Sequence, residues 1–385
     1  MPIVDPDLLR LERALDDRLP RPRLIGRAPA TLLSAAERWS AAVWSAAERL
    51  GPAPPAAGAI ERGLRLAARP VFVCGVHRSG TTLVRDLLDG HPALAVLPSE
   101  GSFFTTARPH LDRLPPDERP AFMGREWVRR LANPINQPPY WLLGRSTADD
   151  APYVRFARAL LGWWPVVRDR LGDNLPIWPL AAVTLAYLAW RDSDVPPAVV
   201  RWVEKTPTNE QHLEHLTADC PFAKVIHVVR DPLDVFASRK VLEERSSGSL
   251  RHPGRILNDL AMSYRLAAAR ATPDRYLVVR YEDLADERGP TLDRVAAFLE
   301  IERLPILDRP TVAGLATAPN TSFPEVGGKE PTRAGGGRSR GRVLTARDRD
   351  RLALIVGDAA GALGYRVPPA RSWWARMTGI LTDRR

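Results

Sequence analysis

Short apolar runs rich in Val, Ile and Phe alternate along this chain with segments of helical period. The runs predict five strands, at residues 71–75, 94–97, 199–203, 224–229 and 276–280. Because strand and helix alternate, we predict an α/β fold with a parallel sheet covered by helices on both faces. Ligands of such sheets bind beyond the carboxyl ends of the strands. Arg78, Glu100, Lys205 and Arg230 all follow predicted strands, so we expect them to converge at one edge.

The pattern outside these strands divides the chain into further segments. Residues 1–50 carry apolar positions at helical spacing, and a Pro- and Ala-rich linker follows them. We predict a helical appendage with its linker at 1–58, a main α/β domain at 59–368 and a C-terminal tail at 369–385. The main domain contains a helical insertion, rich in Trp and Pro, at about 105–195.

The stretch between the first strand and its helix has the spacing of a phosphate-binding loop, G-x-x-x-x-G. Such a loop directs backbone N–H groups and the positive end of a helix dipole at an anion. Thr81 stands where nucleoside-triphosphate sites carry a lysine, which argues against their usual chemistry. The alternative is a Gly-containing turn with no ligand. The candidate phosphate ligands are Gly75, Arg78, Ser79, Gly80, Thr81 and Thr82.

A second anion site is predicted at the end of the strand 224–229. Arg230 follows that strand directly, at the point where nucleoside-triphosphate sites place a magnesium-binding carboxylate. A cation in this position indicates a bound anion and no metal. The alternative is that Arg230 forms a salt bridge with Asp231 or Asp234.

Five motifs follow one another along most of the chain. They are GVHRSGTTLVRDLLDGHP at 75–92, EKTP at 204–207, KVIHVVRDPLDVFAS at 224–238, RYEDL at 280–284 and GRSRGR at 337–342. Together they resemble the sulfotransferases that use 3′-phosphoadenosine 5′-phosphosulfate (PAPS), of the bacterial and tyrosylprotein type. The resemblance implies a P-loop-containing three-layer α/β/α fold with a central parallel sheet. It also implies in-line transfer of a sulfuryl group from PAPS to a hydroxyl acceptor, without a required metal.

The resemblance assigns three catalytic residues. Arg78 would hold the 5′-phosphate and the departing charge, and Lys205 would act as a second electrophile near the bridging oxygen. Glu100 would remove the acceptor proton, a task that suits a carboxylate whose pKa is raised by burial. His77 is a rival base, since cytosolic sulfotransferases use a histidine. The alternative for Glu100 is a cap on the helix that begins near Ser102.

The resemblance also assigns ligands for the 3′-phosphate. Arg230 and Ser238 would hold this group, and the eight-residue step between them matches the family pattern. The tyrosylprotein enzymes carry a further basic residue slightly beyond the serine, whereas Arg239 and Lys240 follow Ser238 at once. Which of these two side chains faces the nucleotide is left open.

Three further residues complete the candidate nucleotide site. Tyr281 would line it by resemblance, although such a tyrosine is as often part of the core. Arg338 and Arg340 lie in a Gly-rich segment that closes over the nucleotide in the family. The alternative for these two arginines is a solvated basic loop.

Charge and cysteine content restrict the partners. The net charge is +10, but the arginines are scattered among carboxylates, so we expect no nucleic-acid partner. Only four of the 55 basic residues are lysines, which fits Lys205 as a site that needs a compact ammonium group. Two cysteines predict a cytoplasmic protein without a disulfide framework. The apolar run Leu175–Trp190 is too short to span a bilayer.

The acceptor and the oligomeric state are the least defined properties. Seven of the eleven tryptophans lie between Trp127 and Trp202, where they either line an aromatic cleft or fill the core of the insertion. We expect a small-molecule, glycan, lipid or peptidyl hydroxyl acceptor. Two other function classes compete: a P-loop nucleotide kinase or NTPase, and a non-enzymatic basic protein that binds nucleic acid or a membrane.

Overall fold

The computed structural model describes residues 5–19, 29–134, 139–172, 174–212, 220–247, 253–269, 274–316 and 343–367. Its strands are β1 (Pro70–Cys74), β2 (Leu94–Val96), β3 (Arg201–Lys205), β4 (Lys224–Val229), β5 (Tyr276–Arg280), β6 (Thr311–Val312) and β7 (Leu315–Ala316). Its helices are α1 (Pro6–Asp16), α2 (Ala30–Leu50), α3 (Ala57–Ala67), α4 (Thr81–Leu88), α5 (Arg108–Leu111), α6 (Arg119–Ala132), α7 (Pro152–Leu171), α8 (Trp178–Asp192), α9 (Pro232–Ser247), α10 (Pro253–Ala269), α11 (Tyr281–Asp286), α12 (Arg288–Leu299) and α13 (Ala346–Ala362). Shorter turns lie at Phe103–Ala107, Asn209–His212 and Pro305–Asp308.

Five strands form one parallel sheet, in the order β2-β3-β1-β4-β5. This confirms the predicted α/β fold with its central parallel sheet. Strands β3 and β4 flank β1, so the chain passes from one side of β1 to the other. Sheets of this kind bind ligands in the crevice beyond the carboxyl ends at such a reversal. The fold therefore places the loop after β1 at a binding crevice.

The side chains of β1 show why both faces of the sheet are covered. Val71 and Val73 belong to a cluster that includes residues of α4 and α12. Phe72 and Cys74 belong to another, which extends through the helical insertion. Successive strand residues point to opposite faces, so an apolar strand of this kind requires a helical layer on each side. The result is the three-layer arrangement that the resemblance implies.

Strand β3 begins two residues later than the apolar pattern predicts. It runs from Arg201 to Lys205, and all five residues are buried. Arg201 can lie inside the sheet because its guanidinium donates to the carbonyls of Leu299 and Phe222 and pairs with Glu300. Lys205 is therefore the last residue of the strand and does not follow it.

The tryptophans of the insertion fill its core. Trp127, Trp141, Trp163 and Trp164 are buried, as is Trp202 on β3. Of the two explanations given for this aromatic enrichment, the structure supports core packing.

Helix α2 packs against the insertion. The ring of Trp39 meets those of Trp141 and Tyr153 edge to face, with centroids 5.2 and 4.9 Å apart. No helix among the described residues is long and apolar enough to cross a membrane. The domain limits at 58 and 368 stay predictions.

Candidate active site

The connections at the carboxyl ends of the sheet carry the candidate residues. The glycine loop follows β1, Glu100 lies beyond β2, Lys205 ends β3, Arg230 follows β4 and Tyr281 follows β5. The contacts described below bring these residues together in two groups. One group is built around two arginines, and the other around a lysine and a carboxylate.

Gly75 begins the loop in a conformation that demands glycine. Its φ is +130°, and a Cβ built there would lie 2.2 Å from the carbonyl oxygen of Val228. The amide of Gly75 donates to Oε2 of Glu210, at 2.9 Å. Burial raises the pKa of Glu210. A buried carboxyl group that no spacing motif indicated therefore supports the first turn of the loop.

Gly80 ends the loop against the ring of Tyr281. Its φ is +105°, and a Cβ added there would lie 2.5 Å from Cδ2 of that ring. Helix α4 begins at the next residue, so its first N–H groups face the loop. Thr81 is buried and Thr82 half-buried at this terminus. The buried hydroxyl of Ser79 has no hydrogen-bond partner among the described residues.

Arg78 has left-handed backbone geometry, with φ of +77°. Its Nε donates to Oγ of Ser238 on α9, at 3.0 Å, which joins the loop to the segment after β4. Burial, together with the positive charge of Arg230, lowers the pKa of Arg78 to about 10. Two guanidinium groups therefore share one partly buried crevice.

Arg230 stacks on the ring of Tyr281, with Cζ 4.2 Å from the ring centroid. Its Nη2 lies 4.0 Å from a carboxylate oxygen of Asp234, at the outer limit of an ion pair. Its Nε is buried and has no hydrogen-bond partner in the described part of the chain. A salt bridge to Asp234 therefore accounts for only one of the nitrogens of this guanidinium group. Asp231 caps the helix instead, since its Oδ1 accepts from the amide of Leu233 at 2.9 Å.

The backbone around Arg230 is fixed by groups to which the sequence analysis assigned no role. The hydroxyl of Tyr264 donates to the carbonyl of Arg230. The carboxylate of Glu282 accepts from the amide of Asp231 at 2.9 Å and from the hydroxyl of Tyr365 at 2.7 Å. The position of this arginine is therefore set by α10, α11 and the residues after α13.

Lys205 and Glu100 form an ion pair. The lysine is buried, whereas the Glu100 side chain is 40 % exposed. Burial raises the pKa of Glu100, but the pairing with Lys205 outweighs it and the pKa falls below its usual value. This is opposite to the raised pKa that we expected of a base. Burial also lowers the pKa of Lys205, and Glu100 counteracts that effect.

Two alternatives concern this ion pair: His77 as the base, and Glu100 as a helix cap. The ring of His77 interacts electrostatically with Glu100 and Lys205, and desolvation lowers its pKa. It therefore lies beside the same ion pair. Glu100 does not cap the following helical turn: the amide of Ser102 donates to the hydroxyl of Thr206 instead, at 2.8 Å.

The two basic residues after Ser238 form ion pairs away from Arg230. Arg239 pairs with Asp259 at 2.9 Å. Lys240 contacts Asp348 and the carbonyl of Val343, each at 3.0 Å. The remaining candidates, Arg338 and Arg340, lie outside the described residues.

The arrangement suits a ligand with two separate anionic groups. Buried polar atoms of Ser79, at the loop, and of Arg230, at the strand end, have no hydrogen-bond partner within the described chain, and two cations face the same crevice. An anion at each position would neutralise charges that otherwise repel. The Lys205–Glu100 pair offers an acid and a base beside them.

A model of the sulfotransferase family matches residues 70–305, which is more than half of the chain. No curated protein matches this chain. The similar solved structures include the following three. The sulfotransferase domain of the Synechococcus olefin synthase is 22 % identical, over 78 % of this chain and 96 % of that one, with a TM-score of 0.43. The sulfotransferase domain of the curacin biosynthetic pathway is 18 % identical, over 77 % and 98 %, with a TM-score of 0.42. Sulfotransferase STF1 of Mycobacterium tuberculosis is 19 % identical, over 80 % and 92 %, with a TM-score of 0.35.

The assignment rests on the family match and not on these weak structural likenesses. The matched stretch contains the glycine loop, the end of β3, the arginine after β4 and the tyrosine after β5. This chain therefore belongs to the sulfotransferase family, whose members are transferases of sulfuryl groups.

Proposed function

We propose that this sulfotransferase takes the sulfuryl group of PAPS and transfers it, by in-line displacement, to a hydroxyl acceptor. The observation that carries the proposal is the pair of arginines in one crevice, Arg78 and Arg230, with Nε of Arg230 buried and unpartnered in the described chain. PAPS is an adenosine nucleotide with phosphates at its 3′ and 5′ positions. Its two anionic ends fit two such groups, and it supplies the sulfuryl group.

The residues divide into two anion sites. Gly75, Arg78, Ser79, Gly80, Thr81 and Thr82 would hold the 5′-phosphosulfate, and Arg230 with Ser238 would hold the 3′-phosphate. Tyr281 touches both sites, because it packs against Gly80 and under Arg230. This position supports the proposal that Tyr281 lines the nucleotide site. Arg338 and Arg340 stay part of the proposal as nucleotide ligands.

Chemistry would take place beside the Lys205–Glu100 pair. Lys205 is a buried cation next to the loop and would stabilise charge on the leaving oxygen. Glu100 stays ionised at neutral pH, since its pKa is lowered, and would accept the proton of the acceptor hydroxyl. A paired carboxylate is a weak base. We therefore propose that the lysine turns towards the donor while the acceptor proton is removed, which strengthens Glu100 as a base.

The proposed acceptor is a small-molecule, glycan, lipid or peptidyl hydroxyl. We propose a cytoplasmic location because the chain has only two cysteines, both buried. A screen of PAPS against pooled phenols, peptides, glycans and lipids, read by the mass gain of one SO3 group, would identify the acceptor.

The nucleotide site can be tested by calorimetry with two ligands, adenosine 3′,5′-bisphosphate (PAP) and AMP, which lacks the 3′-phosphate. Without magnesium, the wild type should bind PAP more tightly than AMP. Arg230→Ala should weaken PAP binding by about 30-fold or more and leave AMP binding nearly unchanged, because it removes one buried charged partner.

Lys240→Ala is the matched control. This lysine lies two residues from Ser238 but pairs with Asp348, so its loss should leave PAP affinity unchanged. Equal affinities of the wild type for PAP and AMP would exclude the 3′-phosphate site. Binding of ATP that depends on magnesium would favour a kinase or NTPase instead.

A further inference from the structure

The loop that carries Glu100 is held by side chains from several elements. Residues 98–102 lie between β2 and the turn at Phe103–Ala107 and belong to neither a helix nor a strand. Four of their backbone atoms nevertheless have side-chain partners. Arg85 donates to the carbonyl of Pro98, Arg130 donates to the carbonyl of Glu100, the amide of Gly101 donates to Glu204, and the amide of Ser102 donates to Thr206.

Glu204 forms hydrogen bonds with three different residues. Its side chain is fully buried at the end of β3. Oε1 accepts from the amide of Gly101 at 2.9 Å and from the hydroxyl of Thr206, and Oε2 accepts from Nδ2 of Asn209 at 2.8 Å. A Cβ at Gly101 would lie 2.7 Å from Oε1, so this close approach requires glycine. The loop and the carboxyl group are therefore fitted to each other.

The neighbouring residue on β3 holds the other side of the loop. Successive strand residues point to opposite faces, so Glu204 and Lys205 diverge at the strand end. Glu204 pairs in register with Phe72, whose side chain packs towards the insertion, and Lys205 with Val73, whose side chain packs towards α4. Glu204 thus holds Gly101 on one face while Lys205 pairs with Glu100 on the other.

We infer that Glu204 is a positioning residue for Glu100, an inference that rests on the proposed function. By fixing the amide of Gly101, it holds the Glu100 loop across the end of β3 and keeps the base beside Lys205. A loop without regular backbone hydrogen bonds would otherwise sample many positions. Displacement of a reacting group by about 1 Å can cost about 100-fold in rate. Thr206 supports the same loop one residue further on.

The ionisation of Glu204 provides a direct readout of its contact with the amide of Gly101. The pKa of Glu204 is raised to about 7, chiefly by burial and also by the charge of Glu100. The hydrogen bonds from Thr206 and Gly101 and the charge of Lys205 limit this rise. The Cys74 thiol of β1 lies on the same face of the sheet and interacts with Glu204 and Glu210, and the pKa values of Cys74 and Glu210 are both raised. The amide of Gly101 should therefore show a pH-dependent NMR shift.

The experiment uses the full chain, labelled with ¹⁵N, and two variants. Glu204→Gln keeps Oε1 as an acceptor, and Asn209 can rotate its amide to match, because its Oδ1 has no hydrogen-bond partner among the described residues. We expect the Gly101 amide of the wild type to titrate with a midpoint near pH 7, and the titration to vanish in Glu204→Gln. Persistence of this titration in Glu204→Gln would overturn the inference.

The second variant tests the consequence for turnover. Thr206→Val should lower kcat about 10-fold or more, on the acceptor found by the mass screen, with unchanged affinity for PAP, and Thr206→Ser should restore it. Unchanged kcat, or equal losses of kcat and PAP affinity, would show that the contacts only maintain the fold. Failure of the wild type to bind PAP or transfer sulfate would instead count against the proposed function, which separates the two proposals.

Discussion

Arg78 and Arg230 repel each other in a partly buried crevice, and burial together with this repulsion lowers the pKa of Arg78. Like charges at this depth destabilise the ligand-free protein. The backbone contacts from Tyr264 and Glu282 nevertheless hold the segment of Arg230 in place. A binding site of this kind is organised before its ligand arrives, and the ligand removes the repulsion.

The buried carboxyl group of Glu204 makes stability depend on pH. Its pKa in the folded protein, about 7, lies above the ordinary 4.5, so the folded state binds the proton more tightly. The stabilisation that this proton gives to the folded protein is fully present below about pH 4.5 and is lost as the pH rises through about 7. The free energy of unfolding falls by about 3 kcal/mol at most over this range.

Glu204→Gln should remove this dependence. We expect the variant to become more stable, relative to the wild type, between pH 5 and pH 8, as measured by urea unfolding at each pH. A constant difference between the two proteins over that range would contradict the assigned ionisation.

At the level of elements, the sequence predicted the sheet well because β1, β2 and β4 are apolar runs that are buried throughout, and β5 is an apolar run at the edge of the sheet. The apolar pattern placed β3 two residues too early, because it counted Val199 and Val200 as strand residues. Charged residues such as Arg201 can lie in the strand because they find partners in the folded chain. Spacing also indicated the arginines at the strand ends. It could not indicate Glu210 or Glu282, because each binds a backbone amide far away in the sequence.

The glycine loop offers a test at this scale. Gly80→Ala would place a Cβ at positive φ and 2.5 Å from the Tyr281 ring, so the loop or the ring must move. We expect the variant to lose about 1 kcal/mol or more of stability and most of its PAP affinity. Gly357→Ala is the control: a Cβ at this position in α13 meets nothing within 4 Å, and alanine should stabilise the helix by about 0.5–1 kcal/mol.

Calorimetry with PAP and urea unfolding would measure both effects. Unchanged PAP affinity in Gly80→Ala would show that contact between the loop and Tyr281 has no part in nucleotide binding.

At the level of the whole molecule, helix α2 and the insertion share one hydrophobic core. Trp39 is fully buried between Trp141 and Tyr153. Trp39→Ala should therefore lower the free energy of unfolding by about 3–5 kcal/mol. Because this residue lies far along the chain from the site, PAP affinity of the folded variant should equal that of the wild type. Urea unfolding that removes α2 in a separate first step would indicate an independent N-terminal unit.

Tyr281 touches the two anion sites at once, against Gly80 on one side and Arg230 on the other. A substitution that moved this ring would alter both contacts together. If the proposed nucleotide spans both sites, selectivity for one end of the donor therefore cannot change while selectivity for the other end stays constant. Redesign for a donor of different length would require coordinated changes at the loop, the ring and the arginine, so the three positions should be randomised jointly in any selection for new donors.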